Sequence, residues 1–436
     1  MQTTPEGASI KNKGGESMLL DYQIEGLNKL ASYNKCAFFW EMGTGKTFVG
    51  AEKLSRLEAN SNIVVCQKSK VNEWIEHFEL YYSYFLVFDL TKKKSFDNFL
   101  KLEHCFKIGV INYDLLFRRP ALQHVPDITL MLDESSLIQN EHTQRTKFIL
   151  KMDYKNIILL SGTPINGKYE NLYSQMQLLG YKVDKRLFYN MYIQTEFTDY
   201  GGKKAISVIG YKNVDHLKQR LRKIGCDFLK TEDVMHLPEQ RIIPVYVPSI
   251  PEYKKFKKDK LVTVDGIELV GGTILEEMLY LRQLAGMYNQ NKYQAFVDLL
   301  NSTSDGFVVF YNFNDELYKL IPLVGERPIS IISGQTKDLS AFERSDNAVV
   351  FVQYQAGAMG LNLQKYNKVI YFSPPLSSEL YEQSKKRIHR IGTTRTCLYY
   401  KLISSGTIEN RIYDTLKTRS DYTRNLFEIE KTQKLV

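Results

Sequence analysis

The chain has 436 residues, which at about 150 residues per domain allows two large lobes with extra segments, each able to bury its own core. Hydrophobic residues make up 43% and charged residues 25%, an ordinary globular balance that excludes a disordered tail, a collagen-like fibre and a disulfide-stapled mini-domain. Lys and Arg total 58 against 49 Asp and Glu, and the net charge of +9 favours a polyanionic partner, nucleic acid before acidic lipid.

The five cysteines (Cys36, Cys66, Cys105, Cys226, Cys397) are odd in number, widely spaced and without a C-x-x-C pair, so no disulfide framework or zinc site is expected and a reducing cytosol fits. No run approaches the roughly 18 apolar residues of a membrane span. Residues 1–17 are polar and Gly-containing, and read as a loose N-terminal arm rather than a signal peptide.

Residues 18–180 read as a first lobe. Brief apolar runs at 36–40, 62–66, 108–111, 128–132 and 156–160 end in polar or Gly residues and are spaced for crossover helices, as expected of parallel strands covered on both faces. Val71, Trp74, Ile75 and Phe78 fall at i, i+3, i+4 and i+7 and predict a helix with one buried stripe. Residues 181–290 are less regular, with several Pro and the basic run from Lys254 to Lys260, and read as a connector with helical protrusions. Runs at 306–311, 329–332, 348–352, 368–372 and 398–403 repeat the strand grammar in a second lobe over 291–436. The expected fold is α/β, with two tandem parallel-sheet lobes.

The sharpest local signal is Gly43-Thr44-Gly45-Lys46-Thr47, between a strand and a helical pattern running from Thr47 to Leu57. The glycines let backbone N–H groups and the helix N-terminus face phosphate oxygens, Lys46 reaches the β and γ oxygens, and the Thr47 hydroxyl is a Mg²⁺ ligand. Trp40 stands where the strict phosphate-loop pattern has its first Gly. Further on, Asp133-Glu134 ends a strand, where a parallel sheet presents its ligands. Such a pair alone is a common turn or helix cap. With a phosphate loop upstream, Asp133 is expected to hold Mg²⁺ and Glu134 to orient and deprotonate water. Near the other end, Gln383, Arg387 and Arg390 fall at i, i+4 and i+7, which predicts one helix face. Leu380, Tyr381, Ile388 and Ile391 would anchor that helix on a neighbouring face. Guanidinium groups opposite a phosphate loop are the arginine-finger device.

Six segments in order carry a resemblance: Asp21-Tyr22-Gln23, Glu41-Met42-Gly43-Thr44-Gly45-Lys46-Thr47, Asp133-Glu134-Ser135-Ser136, Ser161-Gly162-Thr163-Pro164-Ile165-Asn166, Gly360-Leu361-Asn362-Leu363 and residues 383–392. Together they resemble helicase superfamily 2, and within it the Swi/Snf-type ATPase family of double-stranded-DNA translocases. The resemblance implies two RecA-like lobes, with ATP and Mg²⁺ as cofactors. Gln23 then matches an adenine-contacting glutamine, and Met42 to Thr47 and Gln383 match nucleotide-binding positions. Gly162-Thr163 matches a loop linking phosphate state to nucleic-acid grip, Gly360 and Asn362 a loop touching nucleotide and strand, and Trp74 the tryptophan of the first DNA-facing helix region. The implied partner is DNA, duplex first and branched or single-stranded next, with a replication or repair protein as a possible recruiter and no membrane. Lys68, Lys70, Arg118, Arg119 and Lys254 to Lys260 are the candidate DNA contacts.

Several positions depart from the family pattern. Ser135-Ser136 follows the acidic pair where Ala/Gly-His is commoner, and Gln353-Tyr354-Gln355 replaces Ser/Thr-x-Arg. Ala358 replaces Gly, Phe228-Leu229-Lys230 stands where paired arginines are common, and Thr393 replaces a glutamine. These changes are expected to affect DNA grip and coupling more than ATP hydrolysis. The compact length reads as a motor without appended modules, of bacterial or viral type, acting in replication, recombination or repair. The rival readings are a strand-separating or branch-remodelling helicase and, in another class, a nucleotide-gated DNA clamp or loader.

Overall fold

Strands that are apolar on both faces can be satisfied only inside a sheet covered twice, and two such sheets form here. The computed structural model describes residues 19–103, 106–200, 203–357, 361–390 and 392–427. The chain divides into two compact units, one running to Val234 and resuming at Tyr422, the other Met235–Asp421.

In the first unit β1 (Lys35–Trp40), β2 (Ser61–Cys66), β3 (Leu86–Asp89), β4 (Lys107–Asn112), β5 (Thr129–Asp133), β6 (Asn156–Leu160) and a later strand, Cys226–Leu229, form one sheet. Its order is β3-β4-β2-β5-β6-β1 followed by Cys226–Leu229, and every pairing is parallel. The pleat sends alternate residues to two cores: Ala37 and Phe39 to one face, Cys36, Phe38 and Trp40 to the other. The predicted helix stripe forms in α3 (Val71–Tyr81): Val71, Trp74 and Phe78 are buried, and Ile75 packs beside them. The last described residues, read above as second lobe, place Leu426 and Phe427 in the first unit's core.

Residues 181–290 do more than connect. They hold the antiparallel hairpin β7 (Ile193–Tyr200) and β8 (Lys203–Tyr211), then β9 (Cys226–Leu229) at the edge of the first sheet. Next comes β10 (Gln240–Val247), an edge strand of the second sheet, followed by a second hairpin, β11 (Leu261–Val264) and β12 (Ile267–Val270). Tyr253, Phe256, Val262, Leu269 and Leu284 give this second hairpin and its flanking helices a small core of their own. Neither edge strand is a continuous apolar run: β9 alternates buried and half-buried residues, and β10 is largely exposed. Burial on one side only leaves a weaker pattern in the sequence.

The second unit's sheet contains β13 (Phe307–Tyr311), β14 (Ile329–Ile332), β15 (Lys337–Asp338), β16 (Val349–Gln353), β17 (Lys368–Tyr371) and β18 (Cys397–Ser404). Its order is β10-β18-β17-β13-β16-β14-β15, parallel except at β14–β15. All ten predicted runs are strands, and the expected two-sheet α/β fold is the one observed.

Candidate active site

The first unit's candidate residues gather at the C-terminal ends of β1, β5 and β6. After β1 ends at Trp40, Glu41 to Gly45 turns tightly and α2 (Lys46–Arg56) begins. Gly43 and Gly45 have φ of +89° and +74°, backbone that an L side chain rarely adopts. A Cβ on Gly43 would meet nothing within 4 Å, whereas one on Gly45 would lie 2.3 Å from Gln23 Nε2. The loop is thus open above Gly43 and packed shut beneath Gly45.

Side chains brace this loop from several directions. Gln23, 4% exposed on α1 (Asp21–Lys29), donates to the Thr44 carbonyl at 3.1 Å, as does the Tyr22 hydroxyl. Thr44 Oγ1 donates to the Glu41 carbonyl at 2.8 Å. Just beyond β9, the Thr231 N–H donates to Glu41 Oε2 at 3.1 Å and its hydroxyl to the Met42 carbonyl at 3.3 Å. Trp40 fills the position of the missing Gly: its ring packs where a Cβ on Gly26 would sit, and Nε1 donates to Asp227 Oδ2 at 2.7 Å. The sequence carried no signal for Thr231 or Asp227, because the β9 edge was not legible as a strand.

Lys46 Nζ donates to the Trp40 and Glu41 carbonyls at 2.9 and 3.1 Å. Gly162, in the loop after β6, brings that loop alongside: a Cβ there would lie 3.4 Å from Lys46 Nζ and 2.9 Å from Met42 Cγ. Thr163, 5% exposed, has a buried hydroxyl without a hydrogen-bond partner. At the end of β5, Asp133 Oδ2 accepts from Trp74 Nε1 at 2.9 Å, and its carbonyl accepts from the Tyr113 hydroxyl at 2.9 Å. Burial pushes the Asp133 carboxyl above its ordinary pKa, opposed by the Trp74 hydrogen bond and the charges of Lys46 and Lys70. Glu134 follows with φ +52°, a left-handed conformation that costs free energy in a residue with a side chain and is typical of functional sites.

The acidic segment and the Gly-Thr-Pro loop are joined by amides. Ser135 Oγ donates to Gln175 Oε1 at 2.8 Å, while Gln175 Nε2 donates to the Pro164 carbonyl at 2.7 Å. Gln139 Nε2 donates to the same carbonyl at 3.2 Å.

The donor set fits a nucleotide phosphate with a divalent cation. It comprises the first N–H groups of α2, an ammonium, the exposed hydroxyl of Thr47 and one carboxylate beside an open glycine turn. Mg²⁺ characteristically takes only one or two protein oxygens and fills its shell with phosphate and water, which Thr47 and Asp133 match. Among the described residues no group of three or more His, Cys, Asp or Glu is placed to hold a metal, and Cys36, Cys66, Cys226 and Cys397 are free thiols.

In the second unit Gln383 lies on the helix Ser378–Lys385, 5% exposed, with Nε2 donating to Glu379 Oε1 at 3.2 Å and Oε1 buried without a partner. The single helix face predicted for Gln383, Arg387 and Arg390 does not form, because the helix stops at Lys385 and both arginines lie on the turn beyond it. Its last carbonyls are claimed from outside: Lys385 by the Tyr399 hydroxyl at 2.8 Å, Arg387 by the Leu363 N–H at 3.0 Å and Ile388 by the Thr393 hydroxyl at 2.6 Å. Arg387 Nη1 donates to the Leu361 carbonyl at 3.5 Å, and His389 Nε2 pairs with the Pro238 carbonyl at 2.8 Å. Tyr381 and Ile388 are buried in the sheet's core as expected. Gly360, Ala358 and Ile391 lie outside the described residues, as do Cys105 and the arm at 1–17.

Trp74, matched by the resemblance to the first DNA-facing helix region, is 2% exposed, with its indole N–H on Asp133. Lys70 pairs with Glu73, and Arg119 stacks on Phe96 at 4.8 Å. Lys254, Lys255, Lys257 and Lys258 are exposed on the helix Pro251–Asp259, and Lys260 pairs with Glu277 at 2.6 Å.

Residues 22–281 match the SNF2-related domain, well over half the chain, and residues 291–392 match the helicase conserved C-terminal domain. The chain belongs to the SNF2-related family. It is 23% identical to a CHD3-type chromatin-remodeling factor of Arabidopsis thaliana over 91% of this chain and 36% of the relative. It is 22% identical to an uncharacterized ATP-dependent helicase of Bacillus subtilis over 91% of this chain and 77% of the relative. Among solved structures it resembles the Sulfolobus solfataricus SWI2/SNF2 ATPase core in complex with dsDNA, with 22% identity, coverage of 97% and 95%, and a TM-score of 0.44. The chain spans 49% of the length of a putative ATP-dependent helicase/translocase of Bacillus subtilis and 36% of that of the Arabidopsis factor. No helix among the described residues is long and apolar enough to cross a membrane.

Proposed function

We propose that this chain is the motor core of an ATP-dependent DNA translocase, with Mg²⁺-ATP as fuel and duplex DNA as track. The observation that carries the reading is the approach of the Gly162 loop to Lys46 beside the Asp133–Glu134 strand end, in a SNF2-related chain. Bound ATP supplies the phosphoryl group transferred to water, and Mg²⁺ offsets its charge.

Lys46 and the first N–H groups of α2 bind phosphate, Thr47 and Asp133 hold the metal, and Glu134 orients water and takes its proton. Gln23 acts through the loop backbone, where its amide is already committed to Thr44. The resemblance assigns Arg387 and Arg390 the positive charge that offsets the transferring phosphoryl group, and Gln383 and Gly360 a part in nucleotide binding. The Ser135–Gln175–Pro164 bridge lets the phosphate state at Glu134 pull on the Gly-Thr-Pro loop. The excess of Lys and Arg and a chromatin-remodeling relative support DNA as the track, held through backbone phosphates without sequence preference.

One observation favours the branch-remodelling reading. The β7–β8 hairpin belongs to neither large sheet and exposes Phe197 at 74% and Ile206 at 65%, as a strand-separating wedge would. Steady-state ATP hydrolysis with no nucleic acid, duplex, single-stranded DNA, branched DNA and RNA separates the two, with Glu134→Gln as blank. Stimulation by duplex supports the translocase. Stimulation by branched DNA alone moves the assignment to remodelling, and stimulation by none removes nucleic acid as the track.

A further inference from the structure

A buried indole N–H needs an acceptor, and in a core helix the usual partner is a backbone carbonyl. Trp74 instead uses the Asp133 carboxylate, the group to which the proposed function assigns Mg²⁺. Its ring is held independently of that bond. It stacks on Phe78 at 5.7 Å with 24° between planes and meets His77 edge-on at 5.9 Å, within the core that also contains Val49 of α2. Packing therefore aims the N–H, and the N–H fixes the carboxylate.

Resting on that functional reading, we propose that Trp74 is a positioning residue. Its indole N–H sets the orientation of the Asp133 carboxylate for the metal and ties that carboxylate to helix α3, whose first turn follows Lys68 and Lys70. Asp133 then has no need to search rotamers when the metal–nucleotide arrives, because its donor is in place beforehand. The same bond makes α3 respond to what Asp133 holds, and Lys70, whose charge already acts on Asp133, is carried with it.

The chain has two tryptophans, and both border this site, since Lys46 bonds the Trp40 carbonyl while Trp74 bonds Asp133. ADP binding is measured by calorimetry with and without Mg²⁺ in the full chain and in Trp74→Phe, which keeps one aromatic ring in the core and loses the indole N–H with part of the bicyclic surface. The expected result is a lowered thermal midpoint with metal-free ADP affinity retained. The gain in affinity on adding Mg²⁺ falls on the order of tenfold, the scale of one hydrogen bond to a charged group. An undiminished Mg²⁺ gain in Trp74→Phe overturns the inference while leaving the functional reading intact. Absence of any Mg²⁺ gain in the unsubstituted chain overturns both.

A measurement without substitution stands beside it. Two indole N–H signals are expected in a ¹⁵N–¹H correlation spectrum, and adding Mg²⁺ to the ADP-bound chain should move one strongly. If neither indole responds to the metal, Trp74 is a core residue only.

Discussion

Around Lys46 the first unit braces its loop with side chains from three places and a backbone approach from a fourth. Gln23 and Tyr22 come from α1, Thr231 from beyond β9, Trp40 from β1 itself and Gly162 from the loop after β6. Around Arg387 the second unit works from the other direction: the backbone is held and the guanidinium is carried along with it. Tyr399, Thr393 and the Leu363 N–H take the carbonyls that would have continued the helix, and the arginines project from the resulting turn. A phosphate loop must present N–H groups at fixed points, which demands bracing. An arginine that acts only at one stage of a cycle gains from a firm backbone base.

The largest effects should come from chemistry on the two sides of this comparison. Arg387→Ala or Arg390→Ala is expected to lower turnover about 10³-fold while ADP affinity changes little. Whichever arginine leaves turnover near that of the unsubstituted chain drops out of the catalytic set. Glu134→Gln should cost about 10²-fold or more with nucleotide binding retained, and hydrolysis at an undiminished rate would assign the base elsewhere.

Removing the bracing should act more mildly and split by unit. Thr231→Val deletes one hydroxyl bond to the loop and should raise KM for ATP a few-fold with kcat nearly constant, since one neutral hydrogen bond contributes about 1 kcal/mol. Tyr399→Phe removes one of the two hydrogen bonds to the Lys385 carbonyl, leaving that from the His389 N–H, and should do the reverse, lowering kcat a few-fold at constant KM. Steady-state kinetics on the two variants breaks the comparison if both move the same parameter.

How far the site could be read ahead of the structure follows the same division. Gly43, Gly45 and Lys46 were legible because positive φ and phosphate contact both demand particular residue types at fixed spacing. Asp133 and Glu134 were legible because the acidic pair at a strand end comes with a phosphate loop upstream. The termination of the helix at Lys385 was not. Its causes, Tyr399 and Thr393, lie outside the heptad in which periodicity is judged, and Gln383 to Arg390 taken alone has a sound helical pattern. The strands β9 and β10 escaped for a related reason, since an edge strand buried on one side loses the continuous apolar signature of its neighbours. The bond from Trp74 to Asp133 was not legible, because the spacing showed only a buried stripe and the polar atom's target, 59 residues away, left no local trace.

The smallest effect concerns a half-buried lysine of the second unit. Lys401, on β18, lies over the rings of Tyr413 and Tyr381 at 4.5 and 5.3 Å, beneath the helix that carries Gln383. Burial first, then repulsion from Lys385, lowers its pKa from 10.5 to about 8. Below pH 8 the folded and unfolded chains both carry the proton, and the buried charge is a constant penalty on the fold. Between about 8 and 10.5 the unfolded chain binds the proton and the folded chain does not, so this group's contribution to stability rises with pH. The buried tyrosines pull the other way near the top of that window, because burial raises their pKa and the unfolded chain ionises first. A difference measurement isolates the lysine. Lys401→Met should be more stable than the unsubstituted chain at pH 7 by chemical denaturation, with the advantage shrinking steadily toward pH 10. An advantage that stays constant with pH would show that the ring contacts, and not the buried charge, set the energetics at this position.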